Sequence, residues 1–357
     1  MQKSGNKGEW SELYAFFKLL AEGRLYSADG ETNRYEDRFY PILKIFRDDK
    51  VDRNEYTLNT AKNNILIVGE NINVEIPQSV FEIEAERLLN EITKKKEDSN
   101  YEDTISFMKR VGTDNIKAKS KDKADIRIVI HNLHTGFKPE LGYSIKSKLG
   151  GASTLINANK NATNFTYEVK GINETDADNF NSCSLFKDKI KVLRDVNAAI
   201  TYVGTASSVI HKNLLMLDMG LETILSDMLL FNYEKSIHSI KEVCEEVSKI
   251  NSLNLPTDIC SNVYAYKIKQ FLLAFALGMT PADLWDGKFN ANGGYIVVKE
   301  DGEIVCYHFF DRNDLEDYLF YNTCFETPST KRHEFGKIFK EDDKWFFNLN
   351  LQVRFKD

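Results

Sequence analysis

The 357-residue sequence predicts an α/β protein: a mixed central sheet flanked by helices, with a helical insert and a β-rich C-terminal portion. Three observations predict it. Apolar residues recur at helical spacing in the first 22 residues, and strand-like alternation then dominates. From Ser207 to Met279 the pattern is helical throughout. From Gly294 onward alternation returns. The corresponding boundaries are 1–205 for the core, 206–285 for the helical region and 286–357 for the β-rich end, expected to pack as one compact unit.

Each element has a local reason. Trp10, Leu13, Tyr14, Phe17, Leu20 and Ala21 share one helical face over residues 9–22, and Gly23 ends the run. Residues 38–46, 54–58 and 64–68 read as strands, with Gly69 as punctuation. Pro77 opens a helix running to about residue 95, where the charge turns basic. Residues 101–111 form a shorter helix. In residues 125–130 the side chains of Ile126, Ile128 and Ile130 fall on one side of a strand. Residues 141–148 form the next strand, with Tyr143 and Ile145 on one side and Ser144, Lys146 and Lys148 on the other. The connection between them holds Gly136 and Pro139, so the two strands are expected to form a hairpin. Residues 165–170 are a third strand, 184–196 a helix and 198–203 a strand. About three helices fill residues 207–279, broken near Asn232 and Asn254. Glu300, Asp301 and Gly302 mark a hairpin turn between strands at 295–299 and 304–309, and residues 344–355 close the chain as a strand.

Composition bounds the function. Hydrophobic residues make up 42% of the chain and aromatic residues 12%, enough for a substantial core. The net charge of −7 runs against a uniformly basic nucleic-acid-binding surface, so any such contact must come from a local cluster. The five cysteines, Cys183, Cys244, Cys260, Cys306 and Cys324, form no CxxC pair, which disfavours a zinc site and a disulfide framework and fits the cytoplasm. No signal peptide is expected at the N-terminus, and the apolar run 263–279 carries Lys267, Lys269 and Gln270, so it reads as a core helix and no membrane partner is expected. His131 and His134 lie three apart in a loop and read as surface residues. Lys241, Glu242, Glu245 and Glu246 read as a solvated helix face. Neither a P-loop, a dinucleotide fingerprint nor a nucleophile elbow is present in the sequence.

The chemistry-bearing pair is Asp125 and Lys146. Antiparallel pairing of their strands brings a carboxylate and an ammonium together at a sheet edge. A carboxylate suits Mg²⁺, a hard cation that takes oxygen ligands. An ammonium beside a phosphate neutralises developing charge, and the two together suit phosphodiester hydrolysis. Glu168-Val169-Lys170 offers an alternative acid–lysine pair. Lys146 is preferred because its strand pairs locally with that of Asp125. The spacing alone is common: a surface Asp and a solvated Lys have the same appearance.

The pattern resembles the PD-(D/E)xK nuclease motif, with Ala124 at the proline position and Ser144 where the second acid stands, giving Ser144-Ile145-Lys146. Some restriction enzymes of that superfamily draw the missing carboxylate from elsewhere. Glu12 and Glu9, at the edge of the first helix's apolar stripe, and then Glu140, are the candidates to supply it. Four blocks further resemble the HpaII restriction endonuclease family: residues 5–14 (GNKGEWSELY), 123–127 (KADIR), 141–147 (LGYSIKS) with Ser153, Thr154, Leu155, Asn164 and Phe165 downstream, and 325–329 (FETPS). The resemblance implies a PD-(D/E)xK restriction-endonuclease-like core and Mg²⁺-dependent cleavage of double-stranded DNA at a short palindrome, with CCGG as the family's typical site. It implies Asp125 and a glutamate as metal ligands, Lys146 as the residue assisting the attacking water, and Ser144 in the acid's place.

Several segments are candidate DNA contacts. Lys117, Lys119, Lys121 and Lys123 lead into Asp125 and could neutralise phosphates, as could Lys148. The stretch 147–164 is rich in Gly, Ser, Thr and Asn, including Asn157 and Asn161, and could line a cleft. Lys331 and Arg332 follow Pro328, and Arg332 has the donors to read guanine. Solvated loops share each of these compositions. A homodimer is plausible because symmetric sites are usually met by symmetric proteins. The rival readings are a structure-specific or repair nuclease on the same core, and a DNA-binding module without catalysis.

Overall fold

The computed structural model describes residues 5–48, 53–94, 99–113, 115–116 and 124–356. The chain divides into two units. The first runs to Ser153 and resumes over Phe289–Tyr318; the second comprises Thr154–Lys288 and Leu319–Lys356.

In the first unit, helix α1 (Lys7–Glu22) begins in a reciprocal cap. Glu9 N donates to Asn6 Oδ1 at 2.9 Å, and Asn6 N donates to Glu9 Oε2 at 3.0 Å. Two orphan amides of the first turn are satisfied in this way. Gly23 closes the helix in the left-handed region, φ 65°, donating to Leu19 O. The expected apolar stripe is wider in the structure. Ala15, Phe16 and Leu19 are buried along with Trp10, Leu13, Tyr14, Phe17 and Leu20, so sheet and helices surround α1 on most sides.

Strands β1 (Arg24–Ala28), β2 (Arg34–Asp48), β3 (Arg53–Asn59), β4 (Asn64–Gly69), β5 (Ile72–Pro77), β6 (Ile126–Ile130) and β7 (Glu140–Ser147) form one sheet with β11 (Gly294–Val298) and β12 (Ile304–His308), which follow the second unit in the chain. Six of these strands close on themselves: β1 pairs with β12, β12 with β11, β11 with β7, β7 with β6, β6 with β2 and β2 with β1. The expected mixed sheet is therefore present and is barrel-like, with β3, β4 and β5 extending from β2 by hairpins. Helices α2 (Gln78–Thr93) and α3 (Glu102–Arg110) pack with α1 around a core that includes Phe17, Phe81, Phe107, Ile128, Tyr143 and Ile296. β6 and β7 form the expected antiparallel hairpin, with Ile126 opposite Tyr143. β11 and β12 form the expected second hairpin.

The second unit holds two small sheets and most of the helices. β9 (Asn164–Lys170) lies between β10 (Ala199–Thr205) and β15 (Lys344–Asn350), and β15 also pairs with β14 (Ile338–Glu341). β8 (Thr154–Ile156), β16 (Val353–Phe355) and β13 (Thr323–Phe325) form the other sheet. The helices are α4 (Glu174–Ser182), α5 (Phe186–Asp195), α6 (Ser208–Leu217), α7 (Leu221–Lys235), α8 (Ile240–Ile250), α9 (Thr257–Leu277) and the short α11 (Thr330–His333). Helix α10 (Arg312–Tyr321) carries the chain from the first unit into the second.

These divisions differ from boundaries at 205 and 285. Strand pairing joins segments far apart in sequence, so β11 and β12 complete the first sheet while β14 to β16 belong to the second unit. The region 207–279 holds four helices, because Asp218 and Gly220 break it once more. The closing strand is interrupted at Leu351 and Gln352, and its halves enter different sheets. All five cysteines are free thiols. Among the described residues, no helix is long and apolar enough to cross a membrane.

Candidate active site

Asp125 stands immediately before β6, and its amide donates to Tyr143 O at 2.8 Å. That bond continues the β6–β7 ladder by one residue and swings the carboxylate against β7. Asp125 Oδ2 then accepts two hydrogen bonds, from Ser144 Oγ at 3.0 Å and from Ile145 N at 2.8 Å. Among the described residues, Oδ1 accepts no hydrogen bond. Ser144 is 3% exposed, so its hydroxyl is a buried prop for the aspartate.

Lys146 follows two residues later. β7 runs parallel to β11, with Lys146 opposite Val297 and Ser144 opposite Tyr295. The Lys146 Nζ lies 5.4 Å from the centroid of the Tyr295 ring, a distance at which the ring's negative face attracts the cation. Burial, then Tyr318 and Asp125, hold the Tyr295 phenol well above its ordinary pKa, so the ring supports the ammonium as a neutral surface.

Glu12 completes the cluster from α1. Glu12, Asp125, Ile145 and Lys146 line one pocket of about 360 Å³. Its other walls are the start of α1 (Asn6, Lys7 and Gly8) and the turn after β7 (Ser147, Gly150, Gly151 and Ser153). Three segments separated by more than a hundred residues or by the β6–β7 hairpin thus meet at one opening. The pocket offers two carboxylates, the Lys146 ammonium, the amino-terminal turn of a helix and a glycine-rich wall; Lys7, in that turn, donates its own ammonium to Lys94 O at 3.4 Å. Such an arrangement can take a hard cation and a phosphate together: oxygen donors suit the former, and lysine with first-turn amides suits the latter.

The remaining candidates lie elsewhere. The Glu9 carboxylate caps α1 and does not line the pocket. Glu140 stands at the opposite end of β7 from Lys146 and forms an ion pair with Arg53. Glu168 and Lys170 belong to the second unit, where Glu168 pairs with Lys170 at 3.2 Å and Lys344 at 3.6 Å. Lys148 follows β7 and ties its amide to Val298 O at 2.9 Å. Asn157 and Asn161 are exposed in the second unit, as are Lys331 and Arg332 on α11. Lys117, Lys119, Lys121 and Lys123 lie outside the described residues. His131 and His134 join no metal-binding group, and no cluster of three His, Cys, Asp or Glu residues occurs among the described residues.

Sequence reasoning missed Tyr295 and the start of α1. Tyr295 carries no local signal, because a parallel pairing across 150 residues leaves none. Asn6 does carry one: Asn followed three residues later by Glu before an apolar run is a capping box.

The HpaII restriction endonuclease family matches the chain over residues 6–355. The chain is also similar to the type II restriction enzyme HpaII of Haemophilus parainfluenzae, with 42% identity over 356 residues, covering 99% of this chain and 98% of that protein. No solved structure matches the chain.

Proposed function

Because this chain belongs to the HpaII restriction endonuclease family, we propose that it cleaves double-stranded DNA at a short palindrome, CCGG, by Mg²⁺-dependent hydrolysis of the phosphodiester bond. The observation that carries this reading is the meeting of Glu12, Asp125 and Lys146 in one pocket.

The donor set fits the metal. Glu12 and Asp125 are hard oxygen donors, and Asp125 keeps Oδ1 without a hydrogen bond among the described residues. Two protein carboxylates suffice for Mg²⁺, which keeps several waters and takes substrate phosphate oxygens. When bound, Mg²⁺ neutralises the charge that builds on the scissile phosphate. Ser144 Oγ and Ile145 N hold the Asp125 carboxylate in one orientation before substrate arrives. Lys146 orients the attacking water and balances the phosphate's charge. The first turn of α1 and the wall at Gly150 and Gly151 let backbone approach the strand. In this reading the core is of the PD-(D/E)xK type, with Ser144 in the acid's place and Glu12 as the substitute carboxylate.

Lys117, Lys119, Lys121, Lys123, Lys148, Asn157, Asn161, Lys331 and Arg332 contribute DNA contacts in this reading, and a homodimer meets the palindrome's two halves. The working compartment is the cytoplasm.

Plasmid digestion in Mg²⁺, followed by sequencing of the fragment ends, tests the proposal. Discrete bands with ends inside CCGG are expected. A smear, or cutting only at branched or damaged positions, would instead favour a repair nuclease. Absence of cutting by wild type under every divalent ion would leave a DNA-binding module.

A further inference from the structure

A pocket of about 680 Å³ lies wholly within the second unit and has no part in the chemistry above. Its unusual member is Lys189, on α5, which is only 6% exposed. The ammonium donates to Phe180 O at 3.0 Å and sits 4.9 Å from the Phe180 ring centroid. Burial, which outweighs the opposing effect of Cys183, pulls its pKa below the ordinary lysine value. An ammonium has three donors, and a buried one is costly unless an anion meets it. Among the described residues no carboxylate pairs with Lys189, nor with Lys331 or Lys337, which line the same pocket. Glu334 also lines it, but its carboxylate is committed to Lys160 at 2.5 Å. The pocket therefore gathers positive charge that the protein does not neutralise.

The walls are aromatic. Phe186 stacks on Phe335 with ring centroids 5.5 Å apart and planes 12° from parallel. Gly336, at φ +74°, makes room for that pair, since a Cβ there would lie 2.5 Å from the Phe186 ring. Phe339 adds a ring that is 39% exposed. Cations beside an exposed aromatic ring, here that of Phe339, are what a phosphate joined to a planar base requires.

We propose that this pocket binds a single nucleotide, with its phosphate on Lys189, Lys331 and Lys337 and its base against Phe339. The proposal rests on the DNA-cleaving reading only for the source of that nucleotide, which is either one unstacked from a bound duplex or a free mononucleotide.

Calorimetric titration of the full-length protein with deoxycytidine monophosphate, deoxycytidine and inorganic phosphate tests it. The monophosphate is expected to bind at least tenfold more tightly than either of the others. Lys189→Met and the exposed Lys337→Ala are each expected to weaken it tenfold or more; Lys337→Ala keeps the test open should the buried substitution unfold the chain. A duplex carrying 2-aminopurine then identifies the source. A fluorescence rise on binding wild type but not Lys337→Ala assigns the nucleotide to DNA, and monophosphate binding without that rise assigns a free nucleotide. Failure to bind the monophosphate, equal affinity for deoxycytidine, or wild-type affinity in the folded variants would overturn the proposal. Discrete plasmid cutting without monophosphate binding refutes this site and leaves the restriction reading intact. Monophosphate binding without any cutting does the reverse.

Discussion

At the residue scale, the site depends on how one aspartate is held. Asp125 commits one oxygen to two donors from β7. Asp125→Asn and Glu12→Gln each remove a carboxylate from the pocket, and Lys146→Ala removes its ammonium. Each is expected to lower cleavage by about 10²-fold or more, as loss of a charge-stabilising group does. Gel-shift binding of the same duplex should persist, and cleavage within tenfold of wild type by Lys146→Ala would exclude it from the chemistry. Ser144→Ala removes a hydrogen bond to a charged group, worth about 1.5–3 kcal/mol, so cleavage should fall by about tenfold or more. The sequence marked Asp125 and Lys146 through alternation on two adjacent strands. It left Glu12, Glu9 and Glu140 as alternatives, because the aim of a helix across a sheet is not written locally. The structure brings only Glu12 of the three to the pocket.

At the element scale, α1 serves both core and pocket. Its inner faces carry Phe16, Phe17 and Leu20, while its first turn borders the pocket. Asn6→Ala breaks the cap and should cost about 1 kcal/mol of stability. Cleavage should fall with it, because the turn that loosens lines the pocket. Asn173 caps α4 by the same reciprocal arrangement, with Asp176 N donating to it at 3.1 Å. Asn173→Ala should therefore cost a similar stability with cleavage retained. Urea denaturation and plasmid digestion on both variants check the pair, and equal loss of cleavage in both would deny α1 its special place. Most elements were legible from periodicity, but the C-terminal portion read as β also holds the ten-residue helix α10, and other elements were missed for their brevity. β1, β5 and α4 are short, and β5 is largely exposed, so apolar alternation does not announce it.

At the scale of the whole molecule, a buried histidine couples the fold to pH. His308 ends β12 with its ring 4.5 Å from that of Tyr40, and its Nδ1 accepts from Phe310 N at 2.9 Å. Burial, only partly opposed by Asp311, pushes its pKa down to about 4. The folded value thus lies below the unfolded one, about 6.5. The unfolded chain takes up the proton first, so stability present above pH 6.5 is lost as pH falls toward 4. The loss is at most about 3 kcal/mol, at 1.36 kcal/mol for each pKa unit. Urea midpoints at pH 7.5 and pH 4.5 should differ more for wild type than for His308→Gln; equal differences would remove His308 as the cause.

Local pattern determined the α/β class, the β6–β7 and β11–β12 hairpins, the helical stretch and the pairing of Asp125 with the Lys146 strand. These depend on spacing within about twenty residues, where side-chain period and turn chemistry act directly. Tertiary structure alone decided the six-strand closure, the division of the C-terminal strands between two units, Tyr295 beneath Lys146 and Glu12 among three glutamates. Those features come from pairings across a hundred residues or more, and backbone hydrogen bonds between distant strands are nearly indifferent to which side chains flank them.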